Sequence, residues 1–203
     1  MSVRISFYLM VLVPLSGITQ IWTPVNGLPS SAGLKAVHFI NPLTGWVSGE
    51  NGTVMKTSDG GSSWALLSTN TTQTLRGICF FDINNGWACG DQGTVIATND
   101  GGNSWHAQVS GTTNQLNGVE FVSATTGWIV GLNNQLLKTT NGGAGWTPQP
   151  NQGGAMWGLS MLSATNGWSA GDFNSIQGSP KLLKTTNGNT WVNYYNSGIV
   201  TNQ

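Results

Sequence analysis

Three acidic residues, Glu50, Asp91 and Asp172, stand at the same place in a recurring pattern, the turn that follows a Gly-Trp strand. Glycoside hydrolysis needs two carboxylates facing one cleft. These three, with Asp82 and Glu120, are therefore the residues from which acid–base chemistry could be built. Solvated turn residues are the plainer reading of acids in such positions. A second acidic set, Asp59 and Asp100, recurs in register with Asn141 and Asn187. A catalytic group is needed once, and an amide cannot act as a general acid, so this set reads as structural. Metal chemistry would rest on His38 and His106, which fall on different strand types in different repeats. Two cysteines alone cannot form a zinc site. The sequence leads us to expect no catalytic residue, no metal site and no cofactor.

The elements that position these residues are set by tryptophan. Gly-Trp pairs occur at Gly45-Trp46, Gly86-Trp87, Gly127-Trp128 and Gly167-Trp168, spaced by 41, 41 and 40 residues. Each is followed by a second tryptophan: Trp64, Trp105, Trp146 and Trp191. With Trp22 and Trp157 these are all ten tryptophans of the chain. A repeat that uses the side chains of largest buried area sets the architecture.

Each repeat reads as four short strands separated by turn residues. The first strand carries an apolar alternation: Leu34, Val37, Phe39; Leu75, Ile78, Phe80; Leu116, Val119, Phe121; Met156, Leu159, Met161. The Gly-Trp strand is the second. The third covers 53–57, 94–98, 135–139 and 181–185, and the fourth opens at the second tryptophan. Four antiparallel strands every 40-odd residues predict an all-β β-propeller of four-stranded blades, at about 34–74, 75–115, 116–155 and 156–203. No 3.6-residue periodicity supports a helical solenoid. An extra strand at 20–28, around Trp22, resembles the fourth strand of a blade. Four complete units plus that strand favour part of a longer propeller, or an open arc that closes by forming a homo-oligomer, over a closed four-bladed ring.

The turn between the third and fourth strands is Thr57-x-Asp59-x-Gly61-x-Ser63-Trp64. It recurs as Thr98-x-Asp100-x-Gly102-x-Ser104-Trp105 and Thr139-x-Asn141-x-Gly143-x-Gly145-Trp146, and one residue shorter as Thr185-x-Asn187-Gly188-Asn189-Thr190-Trp191. The Asp or Asn side chain is placed to accept from N–H groups of its own turn, and Gly to take the left-handed position. This turn resembles the Asp-box, or BNR repeat, of sialidases and sortilin-type receptors. With the Gly-Trp strand added, the pattern resembles the photosystem II assembly/stability factor family of propellers over residues 21 to about 198. That resemblance implies a non-enzymatic protein-binding role. The photosynthetic members share an arginine-rich patch, whereas this chain has only Arg4 and Arg76. The three-arginine clamp that sialidases share is ruled out for the same reason.

Charged residues make up 7% of the chain and the net charge is zero, which argues against a nucleic-acid partner. Residues 1–19 read as a secretory signal: Arg4, then an apolar run from Ile5 to Leu15, then small residues. No other stretch is long enough to span a membrane. A secreted, periplasmic or cell-surface location of bacterial type is expected. Cys79 and Cys89 flank a short turn. If Asn84 is its centre they face each other, and a disulfide and two small buried thiols remain equally open readings.

Two departures from the repeat locate a ligand surface. About six extra residues lie between Asp172 and Pro180, including Phe173, and such loops on rigid scaffolds are where recognition sits. The residue after the first apolar position of each unit is Lys35, Arg76, Asn117 or Trp157. In a propeller these ring one mouth of the channel, on the side of the insertion. We therefore expect Lys35, Arg76, Asn117, Trp157, Asp172 and Phe173 to bind a protein partner or an extracellular glycan. The alternatives are a carbohydrate-active enzyme acting through Glu50, Asp91 or Asp172, and a structural segment of a larger adhesin.

Overall fold

The computed structural model describes residues 27–150, 154–172 and 180–194. The expected signal segment, the strand around Trp22, Phe173 and most of the insertion lie outside them. The described chain forms four four-stranded antiparallel sheets, each with its strands in sequence order. Blade 1 contains β1 (Leu34–Phe39), β2 (Gly45–Gly49), β3 (Val54–Thr57) and β4 (Ala65–Leu67). Blade 2 contains β5 (Leu75–Phe80), β6 (Gly86–Gly90), β7 (Val95–Thr98) and β8 (His106–Gln108). Blade 3 contains β9 (Leu116–Phe121), β10 (Gly127–Gly131), β11 (Leu136–Thr139) and β12 (Thr147–Pro148). Blade 4 contains β13 (Ala155–Met161), β14 (Gly167–Asp172), β15 (Pro180–Thr185) and β16 (Val192–Asn193).

The first strands of successive blades pack side by side, β1 on β5, β5 on β9 and β9 on β13, so they form the inner wall of an arc. Among the described residues the fourth sheet does not pack on the first to any comparable extent. The described residues therefore form an open run of propeller blades.

The core is divided into three clusters, each lying between two blades. The first joins Trp46 and Val54 to Leu75, Ile78, Phe80 and Trp105. The second joins Trp87, Cys89 and Val95 to Leu116, Val119 and Phe121. The third joins Trp128, Val130 and Leu136 to Met156, Met161 and Leu183. Thus no blade has a core of its own, and each sheet is stabilised by its neighbours.

The Gly-Trp pair builds these interfaces. Within blade 2, Phe80 pairs across the ladder with Gly86 and lies over it. A Cβ on Gly86 would come within 2.4 Å of the Phe80 ring, and on Gly127 within 2.6 Å of the Phe121 ring. Glycine thus leaves a slot for the phenyl ring. The tryptophan of the preceding blade closes that slot. Trp46 stacks on Phe80 at 3.6 Å, and Trp87 on Phe121 at 3.5 Å, both 7° from parallel. The second tryptophan of the blade meets the same phenyl edge-on, Trp105 on Phe80 at 6.0 Å and Trp146 on Phe121 at 5.9 Å. Met161 takes the phenylalanine's place over Gly167.

The stacked indole is also fixed in orientation. Trp46 Nε1 donates to the Gly101 carbonyl at 3.1 Å, Trp87 Nε1 to Gly142 at 3.0 Å and Trp128 Nε1 to Gly188 at 3.1 Å. In each case the acceptor lies in the next blade's turn between third and fourth strands. Lys56 caps the Trp46 face at 5.1 Å and donates to the same Gly101 carbonyl. In blade 2 the lysine position is Ala97, and Gln108 Nε2 supplies the second donor to Gly142 at 2.9 Å.

Cys79 and Cys89 are both free thiols and both buried. Asn84 does not set the register expected of them: Cys79 lies opposite Trp87 and Cys89 opposite Gly77, so the two sit diagonally rather than face to face. Burial pushes both thiols up, Cys79 to about 11, which leaves them protonated and inert at neutral pH. Of the two readings left open by the sequence, the structure holds that of small buried side chains.

Truncation of the closed stack tests this account. Phe80→Ala removes a ring enclosed on both faces and is expected to cost about 3–5 kcal/mol in chemical denaturation. Phe39→Ala, at a ring 41% exposed, is expected to cost clearly less. Equal losses would contradict the inter-blade assignment.

Candidate functional site

The expected channel-mouth residues fall into series. Lys35, Arg76, Asn117 and Trp157 occupy the second position of β1, β5 and β9 and the third of β13, on four strands that pack in succession. Each lies where its first strand begins and its second strand ends.

None of the four stands alone. Lys35 Nζ lies 2.8 Å from Glu50 Oε1. Arg76 makes a two-point contact with Asp91, Nε to Oδ1 and Nη2 to Oδ2 at 3.3 Å. Trp157 Nε1 donates to Asp172 Oδ2 at 2.9 Å. In each case the acid is 15 residues downstream, in the turn or strand end that follows the same blade's Gly-Trp strand. Blade 3 has Leu132 at that place, and Asn117 is satisfied otherwise. Its Nδ2 donates to the Met156 carbonyl at 2.8 Å, and its Oδ1 accepts from Gln115 Nε2 at 2.7 Å. Asn117 is consequently buried, not presented at the mouth.

The site reduces to two partly exposed ion pairs, a sealed asparagine and an exposed indole. Lys35 holds Glu50 below the usual carboxylate range, by its hydrogen bond first and then its charge, with Arg76 adding a smaller pull. The two ion pairs are thus within electrostatic reach across the blade boundary. Exposed pairs of this kind add little to stability. What they fix is the position of the Lys35 and Arg76 stems. Trp157 is 52% exposed, yet the Asp172 carboxylate pins its indole.

Glu50, Asp91 and Asp172 stand at equivalent positions, where the second strand of each blade ends. All three are already bonded to a basic or N–H group of their own blade. The remaining acids are similarly occupied. Asp82 accepts from the N–H groups of Asn84 and Asn85 at 2.8 and 2.7 Å. Glu120 accepts from the Met161 N–H at 2.8 Å across the blade 3–blade 4 boundary, and burial raises its pKa. Burial lowers the pKa of His38 at the equivalent place in blade 1. Among the described residues no group of three or more His, Cys, Asp or Glu gathers to hold a metal ion.

The Asp-box turns have the local geometry their residues dictate. Asp100 Oδ1 accepts from Thr98 Oγ1 at 2.7 Å and from the Ser104 N–H at 2.9 Å, and Oδ2 accepts from Ser104 Oγ at 2.6 Å. Asp59 repeats this set with Thr57 and Ser63. Asn141 keeps the contacts to Thr139 and to the Gly145 N–H. Asn187 Oδ1 accepts from the Thr190 N–H, and its Nδ2 donates to Thr190 Oγ1 at 2.9 Å. Gly61, Gly102 and Gly143 have φ of +91°, +95° and +89°, which a side chain resists. In the shortened fourth turn, Gly188 takes the positive φ instead. Trp64, Trp105, Trp146 and Trp191 lie at the ends of these turns. Seven of the insertion's residues, Phe173 included, lie outside the described chain; its flanks extend β14 and β15 so that Asp172 pairs with Pro180.

Residues 62–152 match the family model described as photosynthesis system II assembly factor YCF48. No curated protein matches the chain. Among solved structures, YCF48 bound to a D1 peptide superposes with a TM-score of 0.64 at 22% identity, covering 82% of this chain and 55% of that one. YCF48 from Cyanidioschyzon merolae gives 0.63 at 18% identity, over 82% and 57%. The GH74 enzyme of Niastella koreensis gives 0.67 at 19% identity, over 79% and 30%. The chain is an Asp-box β-propeller array resembling the photosystem II assembly factors. It spans little more than half the length of the YCF48 structures and under a third of the GH74 enzyme.

The turn acids supply a pH test. Hydrogen bonds from the Ser63 and Ser104 hydroxyls and N–H groups lower Asp59 and Asp100 from 3.8 to about 2. A depressed carboxylate contributes stability that is present above its unfolded value and lost as pH falls through the folded one. The melting temperature should therefore drop between about pH 4 and pH 2. The double variant Asp59→Asn, Asp100→Asn should flatten that part of the acid profile and keep its melting temperature near neutrality, since Asn187 shows that the amide completes the turn. The double Ala variant should melt lower at every pH.

Proposed function

We propose that this chain is a secreted, non-enzymatic module that binds an extended protein segment along the inner-strand end of its blades. The observation that carries this reading is the series Lys35, Arg76 and Trp157 on adjacent first strands, each held by the acid of its own blade. An aromatic ring fixed before binding loses little freedom on contact, and tryptophan and arginine are the residue types that dominate protein interfaces. Arg76 and Asp91 together offer donors and acceptors to a peptide backbone or to its charged side chains. The similarity to a YCF48 structure holding a D1 peptide supports a protein partner in kind. Arginine is scarce here, so the partner differs from the one an arginine-rich patch would hold.

The enzymatic reading has less support. A general acid must carry a proton at working pH. Glu50 is held ionised by Lys35, while Asp91 and Asp172 are hydrogen-bonded within their own blades. Secretion rests on the residue 1–19 segment, outside the described residues.

The test selects peptides from a displayed library against the immobilised chain and measures their affinity calorimetrically. Trp157→Ala is expected to weaken the selected peptides at least about ten-fold, the effect of losing an interface anchor. Arg76→Ala should weaken them less, and Val109→Ala, 85% exposed on the outer side, should change nothing. Undiminished binding by Trp157→Ala would remove the site. Binding to a glycan array in place of peptides, lost with Trp157, would move the partner from protein to sugar.

A further inference from the structure

The three blade boundaries are one contact written three times, and the two end faces of the array carry its separate halves. One half is the indole face: a Gly-Trp tryptophan with an N–H to donate, and, in blades 1 and 3, a third-strand lysine over its ring. The other half is the phenyl face: the first-strand apolar residues, the ring seated on glycine (Met161 in blade 4), and an Asp-box glycine carbonyl.

Blade 4 presents the indole face. Lys184 lies over Trp168 at 5.0 Å, as Lys56 and Lys138 lie over Trp46 and Trp128 at 5.1 Å. Tyr194 meets Trp168 edge-on at 5.0 Å. Trp46, Trp87 and Trp128 are buried, whereas Trp168 is only half-buried, and Tyr194 against it and Leu182 on the neighbouring strand are exposed. Among the described residues the Trp168 indole N–H has no acceptor, although its three counterparts each donate to a glycine carbonyl of the following blade.

Blade 1 presents the phenyl face. Phe39 sits on Gly45 and meets Trp64 edge-on at 6.1 Å, in the arrangement of Phe80 and Phe121. Leu34, Val37 and Phe39 are 41%, 63% and 41% exposed, while Leu75, Ile78 and Phe80 in the same places of blade 2 are 0%, 6% and 2% exposed. Val47 and Met55 behind them are buried. Gly60, in the turn position of Gly101 and Gly142, has a carbonyl that accepts no hydrogen bond among the described residues.

We propose that these faces meet between molecules: blade 4 of one copy receives blade 1 of a second copy, with Trp168 stacked on Phe39 and donating to the Gly60 carbonyl. The second copy is the chosen occupant because each face asks for the chemistry that the other end of this same chain carries. A donor without an acceptor answers an acceptor without a donor, and an uncovered indole answers an uncovered phenyl. The contact is heterologous, so it closes into a ring if the rotation allows. The proposal does not rest on the peptide-binding reading.

The test uses the purified full chain in light scattering on a sizing column, with Val37→Glu spoiling the phenyl face and Leu182→Glu the indole face. Both side chains are exposed, and circular dichroism on each variant checks the fold. The wild type is expected to run as a defined oligomer and each variant as a monomer. An equimolar mixture of the two should give a heterodimer and nothing larger, since one intact phenyl face meets one intact indole face. A wild type that stays monomeric at every accessible concentration overturns the proposal, as does an assembly or aggregate that either variant leaves unchanged. Variants that are each monomeric and remain so when mixed overturn it as well.

Discussion

Everything in this molecule depends on a phenyl ring lying in the gap left by a glycine. Phe80 on Gly86 and Phe121 on Gly127 create a flat apolar platform on one side of a blade. The indole of the previous blade lies on that platform, and its N–H reaches a carbonyl 55 residues along the chain. A glycine in a strand, here the first residue of β6 and of β10, gives that strand no side chain to pack. Here the loss is offset because the missing side chain is replaced by a ring from the neighbouring strand and then by a second ring from the neighbouring blade. The cost is local and the gain lies between blades, so the arrangement is favourable only in an array.

The Asp-box turn acquires its importance from the same contact. Its side-chain hydrogen bonds are short-range and exposed or partly buried, and alone they would stabilise a turn and little else. They also hold the carbonyls of Gly101, Gly142 and Gly188 pointing at the tryptophan behind them. That is why Asp and Asn interchange at this position: both supply the Oδ1 acceptor that shapes the turn, and the charge is not what the next blade reads. Lysine and glutamine interchange for a related reason. Lys56 and Gln108 come from different strands but bring a donor to equivalent carbonyls.

The strand pattern was legible because each repeat states it again. Tryptophan spacing, first-strand alternation and the turn residues gave the four sheets, with third strands starting within one residue of Thr53, Thr94, Gln135 and Lys181. Harder to read was what the tryptophans touch, because contact across blades is a non-local matter that a spacing of 41 does not express. The cysteines show the same limit on a smaller scale. Choosing Asn84 as the turn centre misplaces the register by two residues, since Cys79 pairs with Trp87 and Cys89 with Gly77. At the site, both members of each pair were recognised, Lys35, Arg76 and Trp157 in one set and Glu50, Asp91 and Asp172 in another. The constant separation of 15 residues was the signal that joins them. Asn117 broke the series because Leu132 offers it no acceptor, and it turned inward to the Met156 carbonyl instead.

That separation has a consequence for how such a surface changes over time. Each pair is contained in one repeat, from its first strand to the end of its second, and none of its members belongs to an inter-blade cluster. Duplicating, deleting or exchanging a repeat therefore carries the whole pair along with it, already oriented. The cores see only the indole face and the phenyl or Met161 face that meets it. Repeats can thus be shuffled as cassettes, and the order of blades along the arc becomes the order in which the pairs are presented.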